Sequence, residues 1–467
     1  MSRLMSRLSR RVTVALALSA AASVVVGPAL AADADLIARG KYIATASDCV
    51  ACHSAPGGEP MAGGLAIPTP IGSIVSTNIT PSKQNGIGNY TLEQFDAAVR
   101  KGVRADGKRL YPAMPYTSYA LLSDDDVAAL YAYFMNGVTP VETRPAETSL
   151  PFPFNIRLSM AAWNLLFLDG GPFKPDPAQS AEWNRGAYLV RGPAHCGTCH
   201  TPRNLFMAES TSQAMAGGDV GFWHAPNVTS DPNSGVGGWS VQELVAYMRD
   251  GHAIGKSQAA GPMAEAVDNS LHLLTGDDLQ AIAVYLKTIP PVHDPSDTKP
   301  VFAWGSPSDD LASIRGVALP QDRDGMTGPQ LYDAYCATCH QAEGQGSFEG
   351  GLPSLMHNTA LGRANTNNLV MVMLEGVHRQ PDVLMPGFEK QLSDVQVATL
   401  GSYLVQHFGN PAGTITAAQV AELRAGPAKS MLATIAQAAL AVGALALIGL
   451  IVLWLRWWRK RGTATQA

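Results

Sequence analysis

Cys49-Val50-Ala51-Cys52-His53 recurs as Cys196-Gly197-Thr198-Cys199-His200 and again as Cys336-Ala337-Thr338-Cys339-His340, and these pentapeptides hold all six cysteines of the 467-residue chain. The Cys-x-x-Cys-His spacing is that of covalent c-type haem attachment. Two thiols add across the vinyl groups of the porphyrin, and the adjoining imidazole ligates the iron from one face. A zinc site would need such motifs to come together in even numbers, and three well-separated copies do not. A thiol–disulfide centre has no use for a histidine directly after the second cysteine every time. We therefore expect three covalently bound haem c groups, with Cys49, Cys52, Cys196, Cys199, Cys336 and Cys339 as thioether positions and His53, His200 and His340 as axial ligands.

Working outward, the chain around each motif repeats. A short helical stretch precedes each one, at Leu36 to Ser47, Trp183 to Val190 and Gln330 to Tyr335, and the first two share Arg39-Gly40-Lys41-Tyr42 and Arg185-Gly186-Ala187-Tyr188. Each copy ends in a helix whose N-cap is legible, at Ser123, Thr275 and Ser393, with Asp124-Asp125-Asp126, Asp277-Asp278 or Asp394 complementing the helix dipole. These acids read as helix starts rather than catalytic carboxylates. Copies one and two also share a loop, Asn78-Ile79-Thr80 and Asn227-Val228-Thr229, followed by Gly86-Ile87-Gly88 and Gly235-Val236-Gly237. The third copy lacks that loop and is more divergent. Terminal helices packed across a haem are what small cytochrome c domains have. The expected fold is all-α, with three tandem cytochrome c domains over residues 32–140, 178–292 and 322–412.

Proline-rich connectors, residues 141–177 and 293–321, are longer than minimal linkers. Trp163, Leu165, Leu166, Phe167 and Leu168 in the first point either to inter-domain core or to a docking surface for a partner subunit.

A thioether on the opposite face of each iron raises its potential. Of 16 methionines, Met114, Met263 and Met385 lie in proline-bearing loops just upstream of a terminal helix, where a distal ligand is expected. Met263 lacks the following proline of the other two and is the weakest of the set. Met135, Met248, Met371 and Met373 sit on helix-like segments and read as packing. His195 is too close to Cys196 to reach the distal face. Arg104, Asn78 and Asn227 suit either hydrogen bonds to haem propionates or simple turn roles.

The chain ends carry targeting information. Arg3, Arg7, Arg10 and Arg11, then an apolar stretch from Val12 to Val26 and Ala29-Leu30-Ala31, form a secretory signal over residues 1–31. Leu432 to Leu455 is uncharged and long enough to span a bilayer. Trp457, Trp458 and the basic cluster from Arg456 to Arg461 follow, so residues 430–456 read as a transmembrane anchor with its C-terminal end inside. The haem domains then belong on the periplasmic side of a bacterial inner membrane. A formal charge of −5 gives no nucleic-acid footprint, and no Gly-x-Gly-x-x-Gly fingerprint of nicotinamide or flavin binding is present.

The runs Ser76 to Pro81, Gly86 to Glu93, Leu110-Tyr111-Pro112-Ala113-Met114-Pro115-Tyr116 and His195 to Arg203 resemble the tri-haem cytochrome c subunit of bacterial membrane-bound dehydrogenases that oxidise alcohols, aldehydes or sugars. The resemblance covers nearly the whole mature chain. It implies a subunit that is not an enzyme on its own and that passes electrons from a flavin, PQQ or molybdenum catalytic subunit to ubiquinone. Two other readings are a free-standing carrier feeding a terminal oxidase and a peroxidase-like enzyme. The second would need an open haem position, against which three methionine candidates argue.

Overall fold

The computed structural model describes residues 28–347, 352–379, 382–426 and 431–463. The expected signal peptide lies outside them up to residue 27, and its last residues open the first helix, α1 (Pro28–Ala46). The chain continues through α2 (Leu92–Lys101), α3 (Asp124–Asn136) and a connector helix, α4 (Ser159–Phe167). Next come α5 (Ala181–Arg191), α6 (Val241–Asp250), α7 (Gly261–Asn269) and α8 (Gly276–Leu286). The last part holds α9 (Gly328–Tyr335), α10 (Asn367–Glu375), α11 (Asp394–Phe408), α12 (Ala417–Ala425) and the long α13 (Leu432–Thr463).

Helix starts follow the capping chemistry. The Ser123 hydroxyl accepts from the Asp126 N–H at 3.1 Å, Thr275 from Asp278 at 3.2 Å and Ser393 from Gln396 at 3.2 Å. Each satisfies a donor that the first helical turn leaves over.

The described residues gather into three apolar cores. One is built on Ile43, Phe95, Leu122 and Leu130, one on Leu189, Val267, Leu279 and Ile282, and one on Leu331, Met373, Leu400 and Phe408. In each, the helix before the Cys-x-x-Cys-His turn crosses the helix that ends the unit: α1 on α3, α5 on α8 and α9 on α11. The repeated glycine marks the crossing. A Cβ on Gly40 would lie 1.9 Å from the Ala129 carbonyl oxygen, and one on Gly186 would lie 1.9 Å from that of Ala281.

The sequence did not announce four two-stranded antiparallel sheets among the described residues. They are β1 (Ala66–Thr69) with β2 (Gly72–Val75), β3 (Gly218–Val220) with β4 (Trp223–Ala225), β5 (His252–Ala253) with β6 (Ser257–Gln258), and β7 (Gly376–Arg379) with β8 (Asp382–Pro386). Strands this short pair only because a helical core already holds the loops that carry them.

The connectors are tied down. Asn78 Nδ2 donates to the carbonyls of Val141 (2.8 Å) and Thr143 (2.9 Å), the Val75 N–H donates to Thr148 Oγ1 (3.0 Å), and Leu150 is buried. In the second connector Val301 is fully buried and its N–H donates to the Asn233 carbonyl at 3.0 Å.

Candidate functional site

Each Cys-x-x-Cys-His stretch is a short turn of helix, at Cys49–His53, Gly197–His200 and Ala337–His340. The turn puts both thiols and the imidazole on one side of a compact loop. The three histidines share one arrangement. Nδ1 lies 2.6 Å from the Thr77 carbonyl oxygen in His53, 2.7 Å from that of Pro226 in His200 and 2.8 Å from that of Pro353 in His340. A carbonyl can only accept, so Nδ1 carries the proton and Nε2 keeps the lone pair. Burial holds all three imidazoles below their ordinary pKa, against the opposing effect of the carbonyl bond. A neutral imidazole with a fixed tautomer and a basic Nε2 is what an iron ligand requires.

The shared loop signature serves this geometry. Thr77 and Pro226 directly precede Asn78 and Asn227. Asn78 Oδ1 accepts from the Thr80 N–H (2.8 Å) and hydroxyl (2.7 Å), and Asn227 does the same with Thr229 (2.9 and 2.7 Å). Asn78 Nδ2 spends both its hydrogens on Val141 and Thr143, and Asn227 Nδ2 donates to Val292 at 2.6 Å, so both side chains are bound at each end by the protein. They lock the turn whose carbonyl holds the histidine, and of the two roles open in sequence the turn role is the one seen. Arg104 likewise closes a turn, 3.2 Å from Asp106.

The thiols are the opposite of a reactive thiolate centre. Burial pushes Cys49, Cys196 and Cys336 up to about 12 and Cys52 up to about 11. Among the described residues no three His, Cys, Asp or Glu side chains converge as a metal cluster. Buried polar atoms without a protein partner include Ser47 Oγ and Asp48 Oδ1, beside Cys49, and Gln258 Nε2. The residues present thus fit a covalently held porphyrin: neutral thiols, fixed imidazoles and polar atoms left for an added group.

The three methionines differ in setting. Met114 sits between Tyr111 and Tyr116, its N–H donating to the Tyr111 carbonyl (3.2 Å) and its carbonyl accepting from Tyr116 (2.8 Å), against the first core. Met263 occupies the first turn of α7 and packs on the second core. Met385 lies in β8, opposite Val377, so the proline-bearing loop expected from sequence is an edge of a hairpin here.

The first two units are locked by a reciprocal exchange. Arg39 Nε donates to Asp126 Oδ1 at 2.8 Å within unit one, and Arg185 binds Asp278 with two bonds of 2.7 Å within unit two. The tyrosines of the same Arg-Gly-x-Tyr stretches cross over. Tyr42 Oη donates to Asp278 (2.6 Å) and Tyr188 Oη donates to Asp126. Tyr188 lies in the first core and Ala46 in the second. The Tyr119 hydroxyl donates to the Ser47 carbonyl (2.9 Å), two residues before Cys49, while its ring packs edge-on against His195. Cys52 and Cys199 are near enough to interact electrostatically.

Burial pushes the Asp278 carboxyl up, but the bonds from Arg185 and Tyr42 outweigh it and leave its pKa below the ordinary aspartate range. A depressed carboxylate stabilises the fold above its unfolded pKa of about 3.9 and loses that contribution as pH falls toward the folded value. Thermal melts followed by circular dichroism are therefore expected to weaken below about pH 4, with Asp278→Asn less stable at neutral pH and less acid-sensitive. An unchanged acid limb in that variant counts against the assignment.

Units two and three meet through a two-bond clamp, His224 N–H to Asn368 Oδ1 and Asn368 Nδ2 to the His224 carbonyl, both 2.8 Å. Arg379 Nε donates to Asp268 of α7 at 2.8 Å, and Trp223 packs on the third core. Helix α7 also touches the Cys49–His53 turn. None of these partners was legible in sequence, because each pairs residues more than a hundred positions apart.

Known proteins similar to this chain include cytochromes. Residues 37–137 match the cytochrome c family model, and residues 323–404 match that of cytochrome c oxidase, cbb3-type, subunit III. The chain is 46% identical over 415 residues to the fructose dehydrogenase cytochrome subunit of Gluconobacter japonicus, covering 86% of this chain and 85% of that protein. It is 40% identical over 425 residues to the cytochrome c subunit of the quinone alcohol dehydrogenase of Komagataeibacter europaeus, covering 87% and 88%. It is 40% identical over 406 residues to the gluconate 2-dehydrogenase cytochrome c subunit of Pantoea cypripedii, covering 83% and 89%.

Proposed function

Because this chain belongs to the family of dehydrogenase cytochrome c subunits, whose role is electron transfer, we propose that it carries three haem c groups between the catalytic subunit of a periplasmic alcohol, aldehyde or sugar dehydrogenase and ubiquinone. The observation that carries this reading is the threefold imidazole arrangement, with Nδ1 of His53, His200 and His340 tied to a backbone carbonyl. Haem, when bound, supplies a one-electron iron couple. The protein's own part is to fix and shield it. The cysteine pairs fasten the ring edge, and the histidines present Nε2 without a competing proton. Met114, Met263 and Met385 would each supply a thioether to complete the hold on a bound haem iron. Apolar walls exclude water and favour the less charged reduced iron. The reciprocal lock between units one and two, and the clamp between two and three, keep three redox centres at fixed separations.

Helix α13 supports the membrane side of the reading. It is the one helix among the described residues long and apolar enough to cross a bilayer, with Leu432–Trp458 at a mean hydropathy of 2.6 and none of it buried. We place its basic end in the cytoplasm and the haem units in the periplasm.

Purification through this subunit in mild detergent, with mass spectrometry of what accompanies it, tests the proposal. A flavin, quinoprotein or molybdenum subunit in stoichiometric amount supports it and names the substrate class. Recovery of the chain alone from membranes that still oxidise substrate would shift the role to a free-standing carrier.

The distal ligand of the second haem has a separate test. Met263→Leu is expected to lower one of three potentials and leave all three haems attached. Redox titration that returns three unaltered potentials removes Met263 from the ligand set.

A further inference from the structure

Helix α4 is built inside out for a protein in water. Apart from Ser159 at its first position, which is exposed, its polar side chain is Asn164, 8% exposed, accepting from the Tyr116 hydroxyl (2.7 Å) and donating to the Lys101 carbonyl (3.1 Å). On the outward side, Leu165 is 86% and Leu166 67% exposed, with Leu158 just before the helix at 76%. No charged residue occurs in the helix. The patch extends onto the second unit, where Leu205 and Phe206 are also exposed. That turn is held to α4 by the Trp163 indole N–H donating to the Phe206 carbonyl (2.9 Å) and by the tilted contact of the Phe167 and Phe206 rings, centroids 5.8 Å apart.

A contiguous apolar patch of this kind marks a protein or membrane contact. Two observations decide between them. Protein interfaces are anchored by aromatic and arginine side chains with directional bonds to the partner. Here Trp163 is turned inward with its N–H satisfied, and Arg157 is spent on the Arg109 carbonyl (2.9 Å) and the Tyr111 ring. What faces out is mainly aliphatic. The second observation is position. Gln437 Nε2 of α13 donates to the carbonyl of Phe152, itself exposed and a few residues before α4. Counting back about 20 residues, the length that spans the hydrocarbon, from Arg456 reaches Ala436. Phe152 therefore sits at the level where α13 leaves the bilayer.

We infer that the outward face of α4, with Phe152, Leu158, Leu205 and Phe206, rests in the boundary between lipid headgroups and acyl chains, as interfacial helices do. This rests on reading α13 as a membrane anchor. A single spanning helix leaves the haem units free to tilt; a second, surface-seated contact from the connector fixes which face of units one and two looks at the membrane.

The test uses the full haem-loaded chain in phosphatidylethanolamine–phosphatidylglycerol nanodiscs, with the haems reduced and one spin label at a time at Leu165→Cys, Leu205→Cys, Leu445→Cys or Leu319→Cys. Leu445 lies within α13, and Leu319 is an exposed connector residue. Labels at 165, 205 and 445 are expected to relax with oxygen and be shielded from a nickel chelate, the oxygen-to-chelate ratio rising several-fold over that at 319. Chelate access at 165 and 205 equal to that at 319, with 445 shielded, overturns the surface contact and leaves the anchor standing. Chelate access at 445 as well overturns both. Shielding at 165 that arises only when the catalytic subunit is added assigns the patch to that partner and overturns the lipid contact.

Discussion

A chain carrying alanine at both Cys196 and Cys199 is expected to hold two haems in place of the three proposed, and to lose the proposed electron delivery to quinone almost completely. The reason is the place of the second unit. It is locked to the first through Tyr42–Asp278 and Tyr188–Asp126 and clamped to the third through Asn368 and Arg379. Its α7 touches the Cys49–His53 turn and packs beside β7. On the proposed three-haem reading, removing the centre of the one unit that contacts both others takes out the relay between them. Haem content per chain, by absorbance of the reduced pigment and intact mass, reads the first effect. Quinone reduction by the assembled complex reads the second. His200→Met separates attachment from ligation: it keeps both thioether positions, so three haems remain while one potential shifts. Two haems per chain with quinone reduction intact would show that electrons bypass the second unit.

Gly186→Ala is expected to be one of the most damaging single methyl additions in the chain. The added carbon would lie 1.9 Å from the Ala281 carbonyl oxygen and 2.5 Å from its carbon. Those atoms belong to α8 itself and cannot swing away as a side-chain end would. Overpacking of a tight core costs about 1–3 kcal/mol, and more when backbone must move. The helices here also carry Arg185 and Asp278, so separating them strains the lock to unit one. Gly40→Ala repeats the test in unit one, with 1.9 Å to the Ala129 carbonyl oxygen. Both variants should melt well below the parent and yield little haem-loaded protein. Gly276→Ala, with nothing within 4 Å of its added carbon, serves as the control that ought to melt like the parent. Equal melting of Gly186→Ala and the control would mean that the crossing is looser than described.

The Arg-Gly-x-Tyr stretch shows where sequence reading stops. Its repetition marks a shared plan, and the glycine follows from the helix crossing. That its arginine pairs at home and its tyrosine pairs next door depends on how two units face each other, which no local pattern encodes. The acids read as helix starts do lie in the first turns of α3 and α8, behind the Ser123 and Thr275 caps, yet Asp126 and Asp278 also receive those cross-unit bonds. Spacing leaves Asn78 and Asn227 open between two roles; the neighbouring carbonyls of Thr77 and Pro226, bound to the histidines, favour the turn.

The run around Trp163 divides in the same way. Composition says that it must be covered by something. The structure turns Trp163 and Phe167 toward neighbouring residues, as inter-domain packing requires, and leaves Leu165 and Leu166 outward.

What was legible in the sequence was the repeated Cys-x-x-Cys-His motif and the haem chemistry expected of it, the helix caps and the apolar C-terminal segment. Each is written in short spacings: a motif within five residues, a cap within four, a span within one uninterrupted run. Which carbonyl orients each histidine, how the units interlock and which side of α4 meets its surroundings came from the folded structure. Those are contacts between residues far apart in the chain, selected by shape and by the cost of leaving a buried polar group unpaired, and spacing along the sequence carries no record of them.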